Sequence, residues 1–382
     1  MRDVHRELAS WLEPLGARVR IDAAGNLRAL YAAEETSAPR LLIGSHLDTV
    51  PNAGAFDGIL GVVLGVAILQ ALDGRRLPYA IEVVGFSEEE GVRFGTPFIG
   101  SRALVGRIDE PLLAVQDANG ISVRAAIQAY DLDPAEIRNA VLQEDTCGYL
   151  EFHIEQGPVL ESIGLPLAVV EAIAGQSRLD LTFAGHSNHA GTTPMNLRQD
   201  ALAGAAEWIT VIERTANETA GLVATVGFVQ VKPGAVNVVP GEARLTLDVR
   251  HRNDSIRKRA VEELINLAKE ITNRRGLSLR WSQRLDQPAV AMNPSLTQQA
   301  EEAIRKAGCQ PHRMISGAGH DAMILAEKIP AAMIFLRTPG GVSHDPAESV
   351  AVDDVVKAIE CGLHLLDQLA AAPNLLSRTC RA

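Results

Sequence analysis

Three carboxylates in succession, Glu88-Glu89-Glu90, come one residue after the mostly apolar run Ile81 to Phe86. Like charges crowded this way are unfavourable unless a cation offsets the repulsion. Other groups able to hold one are spread along the chain. His46 and Asp48 lie in Gly44-Ser45-His46-Leu47-Asp48, Asp57 in Phe56-Asp57-Gly58, His153 in Phe152-His153-Ile154-Glu155-Gln156-Gly157, and His344 in Gly341-Val342-Ser343-His344-Asp345. Imidazole nitrogen and carboxylate oxygen suit zinc, manganese, cobalt or nickel. Two such ions roughly 3.5–4 Å apart can share a carboxylate and clamp an attacking water, and a spare carboxylate then serves as general base. Three histidines, one aspartate and one glutamate supply the ligands, with the adjacent glutamate as base. Asp48, two residues past His46, is close enough to hydrogen-bond the imidazole and fix its tautomer.

Each residue also has a plainer reading. Three acids alone describe a solvated loop, His46 or His344 alone a hydrogen-bonded loop histidine, and His153 a satisfied core histidine. Asp57-Gly58 alone is a turn signal. The joint pattern, not any member, points to a metal centre. A second group lies apart: His186 and His189 in Gly185-His186-Ser187-Asn188-His189-Ala190-Gly191, where small residues let a loop approach a substrate and offer an imidazole to a developing oxyanion. Asn237 reads alone as a turn residue. Arg250, at a predicted strand end, can hold a carboxylate by a bidentate pair or simply meet a nearby acid.

The elements that must position these groups follow from periodicity. Short apolar strands at 41–44, 81–86 and 151–154 alternate with helical segments such as 58–72, which predicts a sheet covered on both faces, its ligand edge at the strand C-termini. From about Ser177 the texture changes: strands at 179–183, 223–230, 243–250 and 277–281 and helices at 198–214 and 255–272 give the order β-α-β-β-α-β of a ferredoxin-like module. After Pro294 the first texture returns, with a helix at 296–306, a strand at 331–336 and a closing helix at 352–369. The expected fold is an α/β domain of residues 1–176 plus 290–382, with an α+β domain of residues 177–289 inserted into it.

The bulk properties exclude other classes. A chain of 382 residues carries 47% hydrophobic and 22% charged residues, an ordinary globular balance. Net charge is −11 with no long basic block, so nucleic acid and anionic membrane are not expected partners. No apolar stretch approaches a span of roughly 20 residues. The opening Met1-Arg2-Asp3-Val4-His5 lacks the apolar core of a secretion signal, and Cys147, Cys309, Cys361 and Cys380 show no paired spacing, so a reducing, cytoplasmic setting is expected.

With these residues in view, the chain resembles the amidase/hydantoinase/carbamoylase group of dinuclear metal amidohydrolases, relatives of the aminoacylase and carboxypeptidase-type metallopeptidases. The likeness runs from about Leu8 to Leu369 through GSHLDTVPNAGAFDG, SEEEGVRF, FHIEQGPVLE, HAGTTPM, SGAGHDAM and GGVSHDPAE, in that order. It implies a homodimer formed through the inserted lid, and two divalent ions, zinc or manganese, per subunit. His46 and His344 would each bind one ion, Asp57 would bridge them, and Glu90 and His153 would complete the shells. Glu89 would be the base, Asp48 would orient His46, and His189 would polarise the scissile carbonyl. Gln156, Asn237 and Arg250 would bind a small substrate carrying ureido and carboxylate groups. Ala53-Gly54 stands where many members have Gly-Gly, Phe56 where tyrosine is common, and part of an opening helical region is missing. Ala53-Gly54, Glu90 to Phe94 and Ile173 to Arg178 resemble the allantoate branch, which makes allantoate the first expected substrate and N-carbamoyl-L-amino acids or N-carbamoyl-β-alanine the second.

Three other readings are weaker. Peptide cleavage is disfavoured because that branch commonly has an acid where this chain has His153. A non-catalytic metal binder predicts a lost ligand or base, and none is lost. Serine or cysteine hydrolysis lacks a nucleophile motif such as Gly-x-Ser-x-Gly.

Overall fold

The structure, a computed structural model, describes residues 1–372, so Cys380 and the last part of the expected first domain lie outside it. The described chain separates into two compact units: Met1–Glu171 together with the chain from Met292 on, and Ala172–Ala291 between them. The expected limits of 177 and 289 fall inside the second unit.

The large sheet runs Ala17–Ile21, Leu27–Tyr31, Ala80–Phe86, Arg40–His46, Thr146–Ile154, Ala331–Leu336 and Leu167–Ile173 in spatial order, with Arg313–Ser316 also on the last strand. Its four central strands, Ala80–Phe86, Arg40–His46, Thr146–Ile154 and Ala331–Leu336, are mutually parallel. Thr146–Ile154 is buried at every position, as a central parallel strand covered on both faces should be. The helix Ile59–Ala71 is apolar on nearly every side and accordingly buried over most of its surface, packed against the sheet and the closing helix Val352–Ala371, with only Gln70 and Ala71 exposed at its end. Several elements escaped the sequence reading, three strands of this sheet among them. Leu167–Ile173 is apolar but for Glu171 and lacks period-2 alternation, and the pair Ala17–Ile21 and Leu27–Tyr31 extends the sheet as an antiparallel edge.

The second unit holds a five-stranded antiparallel sheet, in the order Val229–Lys232, Glu242–His251, Gly175–Ala184, Ser278–Gln287 with Val223–Thr225 also on Glu242–His251, a ferredoxin-like arrangement. The alternation in Glu242–His251 sends Ala243, Leu245, Leu247 and Val249 into a core shared with Trp208 and Leu264 of two helices. Those helices start at side-chain caps. Asp200 accepts from Ala203 N–H ahead of Ala201–Glu218, and Asn253 accepts from Ser255 and Ile256 N–H ahead of Asp254–Arg275. The strand expected over 223–230 is broken into Val223–Thr225 and Val229–Lys232, both on Glu242–His251, with Gly227 in the irregular stretch between them.

Candidate metal centre

The C-terminal edge of the parallel strands gathers the chemistry, where open α/β sheets bind ligands. His46 ends Arg40–His46, Glu88 to Glu90 follow Ala80–Phe86, His153 is the penultimate residue of Thr146–Ile154, and His344 lies in the loop after Ala331–Leu336. Asp57 arrives just ahead of the buried helix. Gly58, at φ +71°, passes so close to His46 that a Cβ there would run into the imidazole, so this turn needs glycine. Glu88, Gln156 and His344 all sit at positive φ, between 55° and 59°. Backbone strain in non-glycine residues concentrates at functional sites.

Two imidazoles have their tautomers set by their own main chain. His46 Nδ1–H donates to the Asp48 carbonyl at 2.8 Å, and His153 Nδ1–H to the Ile154 carbonyl at 2.8 Å. Each Nε2 is then a lone pair, and the two face each other at 3.3 Å. Asp57 Oδ1 lies 3.6 Å from His46 Nε2 and 3.2 Å from His153 Nε2. Its other oxygen faces a different group: Asp57 Oδ2 is 3.1 Å from His344 Nε2, which is 3.6 Å from Glu90 Oε1. Asp57 Oδ1 and Glu90 Oε1 are buried without a hydrogen-bond donor. Lone pairs and carboxylate oxygens converging this way repel one another unless a cation sits among them. His46, Asp57 and His153 form one set of donor atoms within 4.8 Å, and Asp57, Glu90 and His344 form another; Glu89 and Glu90 also lie that close to His46. Asp57 belongs to both sets, so the donor types and their arrangement fit two ions sharing one carboxylate.

Burial opposes charge on His46, but Glu89, Asp57 and Asp48 outweigh it and raise its pKa well above the usual imidazole value. Burial likewise opposes charge on Asp57, yet the His153 and His46 imidazoles beside it, 3.2 and 3.6 Å away, hold its carboxyl far below the carboxylate range. Glu89 is pushed well above that range, chiefly by burial, and Glu90 is raised by burial too.

Several residues sit differently from expectation. Asp48 steadies His46 through its main-chain carbonyl, because its carboxylate, 3.9 Å from Nδ1, instead accepts from Glu89 N–H (3.0 Å) and Glu90 N–H (3.1 Å). It thus fixes the backbone of the acidic run. Gln156 is turned onto the donor set: its Nε2 donates to Asp57 Oδ2 at 2.9 Å and to Ser343 Oγ at 3.3 Å. Glu348, buried and bonded to both the Asp57 and His344 loops, was not singled out from sequence; it carries no local signal beyond its place in GGVSHDPAE.

His189, Asn237 and Arg250 belong to the second unit. His189 Nδ1 accepts from Gly191 N–H (3.1 Å) and Thr192 N–H (3.2 Å), which leaves the proton on Nε2 as an exposed donor. The short ladder of Asn188–His189 with Val238–Val239, extended by Ala190 N–H to the Asn237 carbonyl (2.9 Å), puts exposed Asn237 beside it. Arg250 makes a two-point pair with Asp248, Nε to Oδ1 at 2.8 Å and Nη2 to Oδ2 at 3.0 Å, and Arg178 reaches the same carboxylate at 2.9 Å.

Known proteins share this architecture. The profile of Peptidase family M20/M25/M40 matches residues 42–368. An allantoate deiminase of Arabidopsis thaliana is 39% identical over 396 residues, covering 95% of this chain and 75% of its own length. An N-carbamoyl-L-amino acid amidohydrolase of Geobacillus stearothermophilus is 40% identical over 366 residues, covering 95% of this chain and 90% of its own. The crystal structure of an amidase of the hydantoinase/carbamoylase family from Burkholderia multivorans superposes with a TM-score of 0.90 at 31% identity, covering 100% of this chain and 90% of that one. The chain belongs to peptidase family M20/M25/M40, within its hydantoinase/carbamoylase group of amidases.

Proposed function

We propose that the protein is a dinuclear metal amidohydrolase that cleaves the ureido C–N bond of a small carboxylate substrate, with allantoate first and N-carbamoyl-L-amino acids second. The observation that carries this reading is Asp57, whose two oxygens face two separate donor sets. His46, Asp57 and His153 hold one divalent ion, and Asp57, Glu90 and His344 the other; zinc and manganese lead, and cobalt and nickel suit the same donors. When bound, such ions supply a nucleophilic water at neutral pH and Lewis acidity at the carbonyl. Glu89 takes a proton from the attacking water and returns it to the leaving nitrogen. Asp48 holds Glu89 in place through its main-chain N–H. His189 offers Nε2–H to the oxyanion, Gln156 and Asn237 serve the ureido group, and Arg250 anchors the carboxylate. The released carbamate collapses to ammonia and carbon dioxide.

The relatives named above support allantoate and N-carbamoyl-L-amino acids about equally, at 39% and 40% identity, and the allantoate-like motifs decide the order. We also propose a homodimer through the inserted unit, supported by half-exposed Phe228 and Val229 at one edge of its sheet and Trp281 at the other. A reducing cytoplasm suits the free Cys147, Cys309 and Cys361. Among the described residues no helix is long and apolar enough to cross a membrane. The test is a panel of allantoate, N-carbamoyl-L-amino acids and N-carbamoyl-β-alanine assayed for ammonia after loading with Mn²⁺ or Zn²⁺. Highest kcat/KM on allantoate is expected; release from none of the three sinks the proposal.

A further inference from the structure

Of the three imidazoles in the centre, His344 lacks its own steadying bond. His46 and His153 each rest Nδ1 on a main-chain carbonyl, whereas His344 has no such partner among the described residues. Its side chain is 47% exposed, and its backbone sits at φ +57°. Something else must hold this loop against the ion it serves.

Glu348 is placed to do so. It is 5% exposed, and its carboxylate ties its own loop, which carries His344, to Asp57, 291 residues earlier in the chain. Oε1 accepts from the main-chain N–H groups of Phe56 and Asp57, each at 3.0 Å, and Oε2 accepts from Ser343 Oγ–H at 3.1 Å. Asp57 and His344 are the two groups that meet at 3.1 Å across the second donor set, and each is anchored to Glu348, directly or through its neighbour. Gly54 packs so closely on Glu348 that a Cβ there would overlap its side chain, so the Asp57 loop is seated on this carboxylate along its length. Ser343 Oγ in turn accepts from Gln156, which also donates to Asp57. No Lys or Arg pairs with Glu348 among the described residues, so three hydrogen-bond donors hold its carboxylate.

We propose that Glu348 is a positioning residue for the more exposed ion site: it clasps the Asp57 loop to the His344 loop and thereby sets the affinity of the site formed by Asp57, Glu90 and His344. The proposal rests on the dinuclear reading above. The other site leans on Glu348 only through Asp57, because His46 and His153 are fixed by their own carbonyls.

The test is metal stoichiometry and affinity, by elemental analysis and calorimetric titration with Mn²⁺ or Zn²⁺, for wild type, Glu348→Ala, Glu348→Gln and Ser343→Ala. Removing a residue that orients a metal ligand typically weakens binding about 10–100-fold. Wild type is expected to bind two ions. Glu348→Ala is expected to keep one near wild-type affinity and to bind the other about 10–100-fold more weakly. Glu348→Gln keeps an oxygen acceptor for the two N–H groups and is expected to lie between Ala and wild type. If Glu348→Ala does not fold, Ser343→Ala decides: it cuts the clasp on the His344 side and leaves both bonds from the Asp57 loop to Glu348, and weakening of one ion alone supports the proposal. Two ions at wild-type affinity in all folded variants, or equal loss of both, overturns it. A wild type that binds fewer than two ions overturns the dinuclear reading itself, so the two failures are distinguishable.

Discussion

His46 and His153 point their Nε2 atoms at each other across 3.3 Å while both Nδ1 atoms are already spent on main-chain carbonyls. With both rings neutral, neither can donate to the other in that arrangement, and Asp57 Oδ1 adds a carboxylate oxygen between them. A protein that folds three acceptors together folds around a cation. Removing it should therefore destabilise the native state. A ligand present at about 100 times its Kd contributes roughly 2.7 kcal/mol. Dialysis against a chelator is expected to lower Tm by several degrees, and Mn²⁺ or Zn²⁺ to restore it in a concentration-dependent way; a Tm indifferent to metal contradicts this.

Glu89 is buried, and its main-chain N–H is fixed by Asp48. Glu89→Gln keeps the shape and removes the base. General-base catalysis contributes about 10²–10⁴-fold, so kcat is expected to fall by that factor with two ions still bound. Near-normal turnover in Glu89→Gln would remove Glu89 from that role.

Arg250 presents a guanidinium already oriented by Asp248. Arg250→Ala is expected to raise KM for carboxylate substrates about 10–100-fold with little change in kcat, the cost of a charged hydrogen-bonded pair of about 1.5–3 kcal/mol. Arg250→Lys should recover little of it, since lysine cannot form the planar two-point pair. An unchanged KM in Arg250→Ala contradicts the anchor role.

Away from the centre, His5 of the opening helix Arg2–Leu12 is buried beside Leu8 and Leu12 and takes a hydrogen bond from Tyr130 Oη at 2.8 Å, with Nε2 unpartnered. Burial pushes its pKa down from 6.5 to about 4. A depressed folded pKa means that the neutral ring stabilises the fold above pH 6.5 and that this stability is lost as pH falls through 4, on the order of 3 kcal/mol at most. Urea midpoints between pH 8 and 4 are expected to fall more steeply for wild type than for His5→Leu; parallel profiles would contradict the assignment.

Much of this was legible in the sequence because the site residues sit at the ends of strongly apolar strands. The Ala331–Leu336 strand was read to the residue, and the run ending at Phe86 to within one. Asp57, Glu90, His46, His153 and His344 all carry side chains whose type advertises metal binding. What was not legible depends on main-chain partners. Nothing local marks Asp48 as a cap for Glu89 and Glu90 N–H, nor Glu348 as an acceptor for N–H groups 291 and 292 residues away. The strand Leu167–Ile173 was missed for a related reason: it is buried at six of its seven positions, so alternation gives no signal.

The most direct measurement is a metal add-back titration on chelated protein, with ions per chain and ammonia release from allantoate read on the same samples. The expected result is no release from metal-free protein and full release as occupancy approaches two ions per chain. Undiminished release from metal-free protein, or a rate already complete at one ion per chain, would contradict a shared two-ion centre built on Asp57.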